Sequence, residues 1–486
     1  MLAELAALEK PAQQCGQTAF QYMMQHKIIS AEKFCADCVG YFNIQEAKLD
    51  NINLNTLPID SIKIDFIKNN LLLPIEKNKS EIIIAISNPE DLKLEKAIQF
   101  QTGLKIKFVF IKYDILYRLH NLIISKIVYK NKENPAELLA HQILSDAIHQ
   151  HASDIHCEPY KNTCKIRIRI DGMLHELLQF DQLLGSTLLS CLKVLANCDI
   201  AIKRTPQDGR FTFKSNLGFI KDCRVSTYPT IYGEKIVIRL LDANTQIKKI
   251  EELGLSLKNQ QIILNTIAKP QGLILVTGPT GSGKTITLYT LLNLLNKTHR
   301  NITTIEDPVE IQVEGLNQSA VNIKSQFTFS NALRALLRQD PDVMMIGEIR
   351  DQETADMCIR AAETGHLVLS TLHTNSAAEA LIRLTQFGVA PFHLASALKL
   401  VIAQRLVRKL CTYCLGEKNC AQCIDGFSGR IGIFELLEIN LDNKNQILNH
   451  EKIIINQTLW QAALLCVENK ITSFDEIKRV IPNDSV

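Results

Sequence analysis

The sequence predicts an α/β protein of three regions, the last of which contains a mostly parallel sheet. From about Leu253 onward, the apolar runs GLILVTG, ITTIED, DVMMIGEI and HLVLSTLH alternate with helical or loop segments. That alternation is typical of parallel strands joined by helical crossovers. Ahead of it, residues 136–242 combine a helix with short alternating strands, and residues 1–130 are rich in Ile, Asn and Lys. The polar stretches KNKENP (130–135) and DANTQIKKIEE are the predicted linkers.

Length and composition indicate a multidomain globular protein. Its 486 residues exceed what one hydrophobic core accommodates, which predicts two to four domains. The 54 basic and 51 acidic residues give a net charge of +3, so no direct nucleic-acid binding is expected. No run of about 18 apolar residues occurs, and the start MLAELAALEKPAQQ is interpreted as a helix rather than a signal peptide. The predicted location is the cytoplasm.

The first two regions each carry local signals of mixed α/β structure. Glu81–Ile86 (EIIIAI) predicts a strand, and SNPEDLKLEKAIQFQTG after it predicts a turn and an amphipathic helix. In the second region, ELLAHQILSDAIHQH predicts a helix, and SDIHCEP, KIRIRIDG and GEKIVIRLL predict strands. The isoleucines of KIRIRI should share one face of their strand and the arginines the other.

The third region, 250–486, contains a phosphate-binding loop. GPTGSGKT follows the buried strand LILV and precedes the apolar helix ITLYTLLNLL, a context that argues against a chance match. Glycines let backbone N–H groups point at phosphate, and the helix starting at about Lys284 presents its positive dipole end. Lys284 should reach the β- and γ-phosphates of ATP, and the Thr285 hydroxyl should ligate Mg²⁺. The predicted nucleotide-binding residues are Gly278, Pro279, Thr280, Gly281, Ser282, Gly283, Lys284 and Thr285.

Hydrolysis also needs a group that holds water, and Glu348 is the predicted one. It ends the apolar strand VMMIG, where the alternative is a glutamate that merely caps the next helix. Gly347 stands where many P-loop enzymes place an aspartate, so Mg²⁺ is expected to rely on Thr285, phosphate and water.

Two further segments carry candidate catalytic groups. The acidic stretch EDPVE, which ends at Glu310, indicates a metal–water network beside the phosphates, or otherwise a solvated acidic turn. His366 and His373 bracket the strand HLVLSTLH. A histidine is most often structural, but two beside the site are candidates for γ-phosphate sensing, and His373 is the stronger.

Together these motifs resemble the bacterial type II secretion and type IV pilus assembly ATPase family. GPTGSGKT, TIEDPVE, LRQDPDVMMIGEIRDQETA and TGHLVLSTLHTNSA occur in family order, with SDIHCEP, RIRIDG, QDGR and RVST upstream and VIAQRLVRKLC downstream. The resemblance covers about residues 136–440 and is weak before about 130. It implies a RecA-like ATPase domain (250–486), a smaller PAS-like domain (136–242) and an N-terminal docking or regulatory module (1–130).

The resemblance also implies a homo-hexamer in which arginines of the smaller domain complete a nucleotide site. By motif these are Arg210 in QDGR, Arg224 in RVST and Arg239 in IVIRLL. A guanidinium suits this role because it stays charged and contacts phosphate oxygens bidentately. Arg334 and Arg338 share a helical face and could line the subunit interface. For each arginine, the alternative is a surface ion pair.

A cysteine quartet is the predicted structural zinc site. Cys411, Cys414, Cys420 and Cys423 form a C-x₂-C-x₅-C-x₂-C insert at 411–423, for which tetrahedral Zn²⁺ is the natural occupant. It matches the tetracysteine module of the secretion and pilus-extension branches, with a shorter middle spacing. The alternative is a reduced, metal-free loop. Cys35 and Cys38 are interpreted as packing residues.

The predicted function is therefore ATP hydrolysis that drives assembly of type IV pili or a type II secretion pseudopilus. The resemblance implies partners in the inner-membrane platform, reached through the N-terminal region, and peripheral membrane association. The alternatives are a retraction or DNA-uptake motor, a DNA translocase, and a nucleotide-dependent scaffold with little turnover. Some family members bind a cyclic dinucleotide, but the Leu-Gly and L-x-x-x-L-x-x-Q repeats expected for that are not found in residues 1–130.

Overall fold

The chain divides into two compact units, Met1–Asn244 and Thr245–Val486. The computed structural model describes residues 8–9, 12, 18–25, 28–47, 57–63, 66–67, 70–113, 115–117, 119–120, 123, 135–215, 220–241, 247–322, 325–417, 420 and 423–481. The predicted N-terminal helix and the first predicted linker lie largely outside these residues. The second predicted linker, DANTQIKKIEE, is described from Ile247 onward and leads into a 3₁₀ turn at Ile250–Leu253.

The first unit begins with a small three-stranded sheet. Its strands are β1 (Leu72–Lys77), β2 (Glu81–Ile86) and β3 (Lys105–Phe110), with β1 antiparallel and β3 parallel to the central β2. The helices are α1 (Ala19–Gln25), α2 (Ala31–Phe42) and α3 (Glu95–Thr102), and 3₁₀ turns lie at Ile59–Ser61 and Pro89–Leu94. The predicted strand and the turn and helix after it are confirmed. Cys35 and Cys38 lie in the apolar core of this module.

A six-stranded antiparallel sheet follows in the same unit. Its strands are β4 (Asp154–Pro159), β5 (Thr163–Ile170), β6 (Met173–Asp181), β7 (Gln207–Lys214), β8 (Ile220–Thr230) and β9 (Gly233–Leu241), in the order β6-β5-β4-β9-β8-β7. The helices are α4 (Pro135–His149) and α5 (Gln182–Leu195). Burial alternates along β5, with the isoleucines buried and the arginines half-buried, as predicted. The helix α5 packs against the face that carries the isoleucines, and the opposite face, which carries the arginines of β5, is polar.

The second unit is built on a seven-stranded sheet. Its strands are β10 (Gly272–Thr277), β11 (Ile302–Glu306), β12 (Asn317–Ala320), β13 (Val343–Ile346), β14 (Leu367–Leu372), β15 (Leu398–Leu410) and β16 (Phe427–Glu438), in the order β12-β11-β13-β14-β10-β15-β16. All neighbours are parallel except β15 and β16, which form a long antiparallel hairpin. The predicted parallel α/β fold is confirmed, whereas the hairpin was not predicted.

Helices cover both faces of this sheet. They are α6 (Leu257–Ile267), α7 (Lys284–Leu295), α8 (Phe329–Leu336), α9 (Gln352–Glu363), α10 (Ala377–Gln386), α11 (Pro391–Ala397), α12 (Leu441–Leu448), α13 (Leu459–Glu468) and α14 (Phe474–Val480), after a 3₁₀ turn at Ile250–Leu253. Alternate residues of β10 enter two separate apolar cores. This two-sided burial explains why the central strands have continuous apolar sequences. Among the described residues, no helix has the length and apolarity to cross a membrane.

Candidate active site

The loop between β10 and α7 has the backbone geometry of an anion-binding loop. Gly278, Gly281 and Gly283 have φ angles of 149°, 79° and 87°, a region that favours glycine. A Cβ on Gly278 would also lie 2.5 Å from the Gln404 carbonyl oxygen. The helix α7 begins at Lys284, as predicted, so its N-terminal N–H groups face the loop.

The loop lysine is folded back onto its own loop. Lys284 is 9% exposed, and its Nζ donates to the carbonyl oxygens of Gly278 (2.8 Å) and Pro279 (3.1 Å). Burial lowers the pKa of Lys284 to about 8, against an opposing effect of the Glu348 carboxylate. The buried Ser282 Oγ has no hydrogen-bond partner among the described residues. Phosphate oxygens can satisfy both groups, since they accept hydrogen bonds as carbonyls do.

The strand order brings the predicted catalytic residues to the same edge as this loop. β13, β14 and β10 are neighbours, so Glu348, His373 and Lys284, which follow their carboxyl ends, converge there. His373 Nε2 lies 3.5 Å from Glu348 Oε2, and Arg350 forms an ion pair with the other oxygen of Glu348. Burial and the Lys284 charge lower the pKa of His373, which Glu348 partly offsets. His366 instead precedes β14, and its Nδ1 lies 3.0 Å from the Ala361 carbonyl oxygen, so it is not part of this site.

An open cleft of about 590 Å³ adjoins the loop. Its walls are the start of the loop, the segment after β14 and one face of α10, with the lining residues Pro279, Thr280, His373, Thr374, Asn375, Glu379, Ile382, Arg383 and Gln386. The end of β10 is tied to the segment after β14 by Thr277 and Thr374, whose hydroxyl oxygens lie 2.7 Å apart. The cleft is therefore a place where groups can approach the phosphate loop from outside.

The acidic segment after β11 divides into a buried anchor and an exposed end. The Glu306 carboxylate is 4% exposed and accepts hydrogen bonds from Tyr289 Oη (2.5 Å), Thr304 Oγ1 (2.6 Å) and Gln318 Nε2 (3.2 Å). Burial and this carboxylate raise the pKa of Tyr289. Glu310 is exposed, and no hydrogen bond or ion pair engages it within the described residues. Glu306 therefore anchors the segment, and Glu310 is available to a ligand.

Gly347, which replaces the aspartate common in other P-loop enzymes, lies close to β11. An added Cβ would be 3.3 Å from the Ile305 carbonyl oxygen and 3.5 Å from Glu306 Cα. The close approach of β13 to the anchored end of β11 therefore disfavours a longer side chain at this position.

The β15–β16 hairpin supplies supporting residues that sequence reasoning missed. Gln404 Oε1 accepts a 2.7 Å hydrogen bond from Thr287 Oγ1 on α7. Arg405, 2% exposed, donates to the Asn375 carbonyl oxygen at 2.9 Å. Glu435 accepts from the backbone N–H groups that begin α10 (2.7 Å) and α13 (3.0 Å). Gln404 and Arg405 lie in the stretch VIAQRLVRKLC, which had been noted only as a family motif. The motif does not indicate which residues these side chains contact.

The three arginines predicted for the smaller domain lie in one row across the polar face of its sheet. Arg210 is paired in register with Arg224, and Arg224 with Arg239, so their side chains share a face. Gly209 is what allows β7 to approach the segment before it, because a Cβ there would lie 2.3 Å from the Ala196 carbonyl oxygen. Arg210 forms an ion pair with Asp222.

The two arginines of the second unit are engaged locally. Arg334 forms an ion pair with Glu353, and Arg338 Nη1 donates to the Arg334 carbonyl oxygen at 3.0 Å. The helix α8 ends at Leu336, so Arg338 lies beyond it and the predicted shared helical face is not formed.

The cysteine quartet forms a cluster at the end of the β15–β16 hairpin. One Sγ atom from each of the four residues lies within 4.8 Å of the others, and Cys414 Sγ is 3.6 Å from Cys423 Sγ. Tetrahedral zinc with Zn–S bonds of about 2.3 Å places its sulfurs about 3.8 Å apart. The donor set therefore fits Zn²⁺. The backbone segments at Gly416 and Gly426 lie close together beside the cluster, since a Cβ on Gly426 would lie 2.6 Å from the Gly416 carbonyl oxygen.

The RecA-like sheet and the loop at its edge define a P-loop nucleotide-binding protein. A family model described as a type II/IV secretion system protein matches residues 129–479, and the chain belongs to this family. A second model, described as an MshEN domain, matches residues 42–119. The family motifs begin at about residue 136, so they had not indicated this domain.

Relatives of known name extend the match. The chain is 37% identical to the type IV pilus assembly ATPase PilB of Pseudomonas aeruginosa, over 94% of this chain and 92% of that protein. It is 46% identical to the type II secretion system protein E of Pectobacterium carotovorum, over 71% of this chain and 76% of that protein. The solved structure of the ATPase DotB of Legionella pneumophila matches with 23% identity and a TM-score of 0.55, over 71% of this chain and 95% of that protein. At this identity the match shows the fold alone. The predicted family and the predicted ATPase activity are confirmed.

Proposed function

We propose that the chain hydrolyses ATP within a homo-hexamer to drive assembly of a type IV pilus, or of the related type II secretion pseudopilus. The convergence of Lys284, Glu348 and His373 at one edge of the sheet is the observation that carries the hydrolytic part. The alignment with the pilus assembly ATPase includes most of the N-terminal region, whereas that with the secretion protein covers 71% of the chain. This difference favours a pilus client.

The chemistry assigns separate tasks to the grouped residues. Lys284 exchanges its carbonyl partners for the β- and γ-phosphates. Glu348, held by Arg350 and His373, accepts a hydrogen bond from the attacking water and orients it. His373, which follows the adjoining strand β14, contacts the γ-phosphate and thereby senses whether it is present.

Thr285 and the exposed Glu310 are suited to holding Mg²⁺, Glu310 through water. Thr285 is the second residue of α7, its Oγ1 makes no hydrogen bond among the described residues, and oxygen donors are those that Mg²⁺ prefers. Bound Mg²⁺ would neutralise charge on the transferring phosphate.

The smaller domain contributes cations to a nucleotide site in the ring. Arg210, Arg224 and Arg239 share one face and one row, which suits them to contact phosphate oxygens together. The domains 1–130, 136–242 and 250–486 would then act as docking module, arginine donor and ATPase. The docking module would bind inner-membrane platform proteins at the cytoplasmic face.

The test is ATPase activity measured against oligomer size by light scattering with Mg-ATP. Wild type is expected to be an active hexamer, Lys284→Ala to lose nucleotide binding, and Arg210→Ala to assemble without hydrolysing. Glu348→Gln should bind ATP but turn over at least about a hundredfold more slowly. If the wild type is an active monomer and Arg210→Ala does not change its activity, the homo-hexamer proposal is refuted. Equal, near-zero turnover of wild type and Glu348→Gln in assembled rings would favour a scaffold.

A further inference from the structure

The arginine row contains one buried carboxylate that the sequence did not single out. On the same register line, Asp154 of β4 is paired with Arg239 on one side and with Arg169 of β5 on the other. Cross-strand partners project from the same face of a sheet. The row across five strands therefore reads Arg210, Arg224, Arg239, Asp154, Arg169.

Asp154 is tied down from several directions. It is 8% exposed, and its Oδ1 accepts a 3.1 Å hydrogen bond from Arg239 Nε. Its Oδ2 accepts one from Ser153 Oγ at 2.8 Å and lies 3.7 Å from Arg169 Nε. The carboxylate is thus a rigid, charged anchor at the base of the row.

The hydrogen bond to Asp154 leaves the two terminal nitrogens of Arg239 available to a ligand. The bond uses Nε, and within the described residues no hydrogen bond engages Nη1 or Nη2 of Arg239. Its side chain is 64% exposed, against 11% for that of Asp154. A guanidinium held at Nε keeps its outer pair of donors for a bidentate contact with phosphate.

Like charges directly opposite each other on neighbouring strands repel, and this row holds three consecutive arginines. Asp222 neutralises Arg210 at one end, and Asp154 neutralises Arg239 at the other. Without Asp154, Arg239 would face Arg224 and Arg169 with no carboxylate between them. Its guanidinium would then turn away from the row.

We propose that Asp154 is a positioning residue that aims Arg239 at the phosphates of ATP. The inference rests on the proposed role of the arginine row. It assigns Asp154 no contact with the nucleotide, so its effect must pass through Arg239.

Glu158 provides a matched control on the same strand and face. It is 5% exposed and also binds two cations, Arg167 through Nε (2.7 Å) and Nη2 (2.8 Å), and Lys235 through Nζ (2.8 Å). However, it occupies the outer nitrogen of Arg167 as well as Nε. Glu158 therefore holds strands together without leaving a guanidinium end for a ligand.

The experiment compares steady-state ATPase kinetics of full-length Asp154→Asn, Glu158→Gln, Arg239→Ala and the two double variants with Arg239→Ala. Asp154→Asn should lower kcat about tenfold to a hundredfold with KM for ATP within about twofold, as for a misplaced catalytic group. The double variant Asp154→Asn/Arg239→Ala should be no slower than Arg239→Ala, because the two residues act as one unit. Glu158→Gln should keep kcat within about twofold. Asp154→Glu, which retains the charge, should recover part of the lost rate.

The outcomes separate the two levels of the argument. If Arg239→Ala is slow but Asp154→Asn keeps the wild-type kcat, or if their effects multiply in the double variant, the positioning role is refuted and the proposed function stands. A loss of rate in Glu158→Gln equal to that in Asp154→Asn would also refute it, since it would indicate a general weakening of the sheet. If Arg239→Ala and Lys284→Ala both hydrolyse ATP at the wild-type rate, the proposed function itself fails. Thermal unfolding of each variant identifies any that does not fold, and Asp154→Glu then serves as the deciding variant.

Discussion

Replacing Tyr289 by phenylalanine tests whether the acidic segment is held in place from the P-loop helix. The substitution deletes only the hydroxyl that donates to Glu306 Oε2 at 2.5 Å. The Tyr289 hydroxyl oxygen also accepts longer hydrogen bonds from the Ile311 backbone N–H (3.4 Å) and Gln318 Nε2 (3.3 Å). This one hydroxyl therefore contacts both flanks of the segment that carries Glu310.

The size of the effect follows from burial and charge. Tyr289 is 0% and Glu306 4% exposed, so water does not replace the lost donor. A hydrogen bond to a charged buried group contributes about 1.5–3 kcal/mol net to stability, and the two longer contacts add little. We expect the free energy of unfolding of the second unit to fall by about 2 kcal/mol. At roughly 2–4 °C per kcal/mol, its melting temperature should fall by about 4–8 °C. Displacement of Glu310 should also lower kcat about tenfold.

The assay is thermal unfolding of the full chain with and without Mg-ATP, alongside steady-state ATPase kinetics. Tyr228→Phe removes the hydroxyl of a ring that is 63% exposed and should leave both quantities unchanged. In a double-mutant cycle with Glu306→Gln, the coupling energy should be about 1–2 kcal/mol. A coupling below about 0.5 kcal/mol, or a melting temperature within about 1 °C of wild type, would refute the reasoning.

Three further predictions concern the metal, the loop lysine and the C-terminal helix. Protein purified without chelator should carry about one zinc per chain by elemental analysis and Cys414→Ser should lose it; less than about a tenth of an equivalent in wild type would end that proposal. Phosphate should raise the pKa of Lys284 from its value of about 8 in the free loop, so ATP binding takes up a proton and weakens above about pH 8. Calorimetry in two buffers of different ionisation enthalpy measures that uptake. An ATP affinity that does not change between about pH 7 and about pH 9 would contradict the prediction. Burial disfavours ionisation of Glu476, but hydrogen bonds from Arg479 and Arg408 hold its pKa at about 2, below the ordinary 4.5. Because this stabilisation is present above pH 4.5 and lost as the pH falls towards 2, Glu476→Gln should lower the melting temperature at pH 7 and much less near about pH 3.

Local sequence predicted the regular elements because each central strand is buried on both faces or alternates strictly. The run EIIIAI became β2 with the predicted bounds, and KIRIRI became a strand whose buried and half-buried residues alternate. The β15–β16 hairpin was missed because its strands flank the cysteine-containing loop and have the apolar composition that helices also have. Its residues gain their meaning only from what lies opposite them.

The same division applies to the site. The spacing of GPTGSGKT and the acid after β13 predict Lys284 and Glu348 from short-range patterns, and the structure places both at one edge of the sheet. His366 and His373 bracket the same strand in sequence. Ligands bind at the carboxyl ends of parallel strands, and only His373 follows that end of β14.

The sequence alone supplies the chemical groups: a phosphate-loop motif, a carboxylate at the end of an apolar strand, a cysteine quartet and a set of arginines. What the tertiary structure decided is which of these groups meet. Strand order places Glu348 and His373 beside the loop. Strand register places Arg210, Arg224 and Arg239 in one row that continues into the buried Asp154. Pairing between strands distant in the chain is a non-local property that no short motif encodes. Hydrogen bonds and close ion pairs form only between atoms about 3–4 Å apart, so the role of each charged group depends on that pairing.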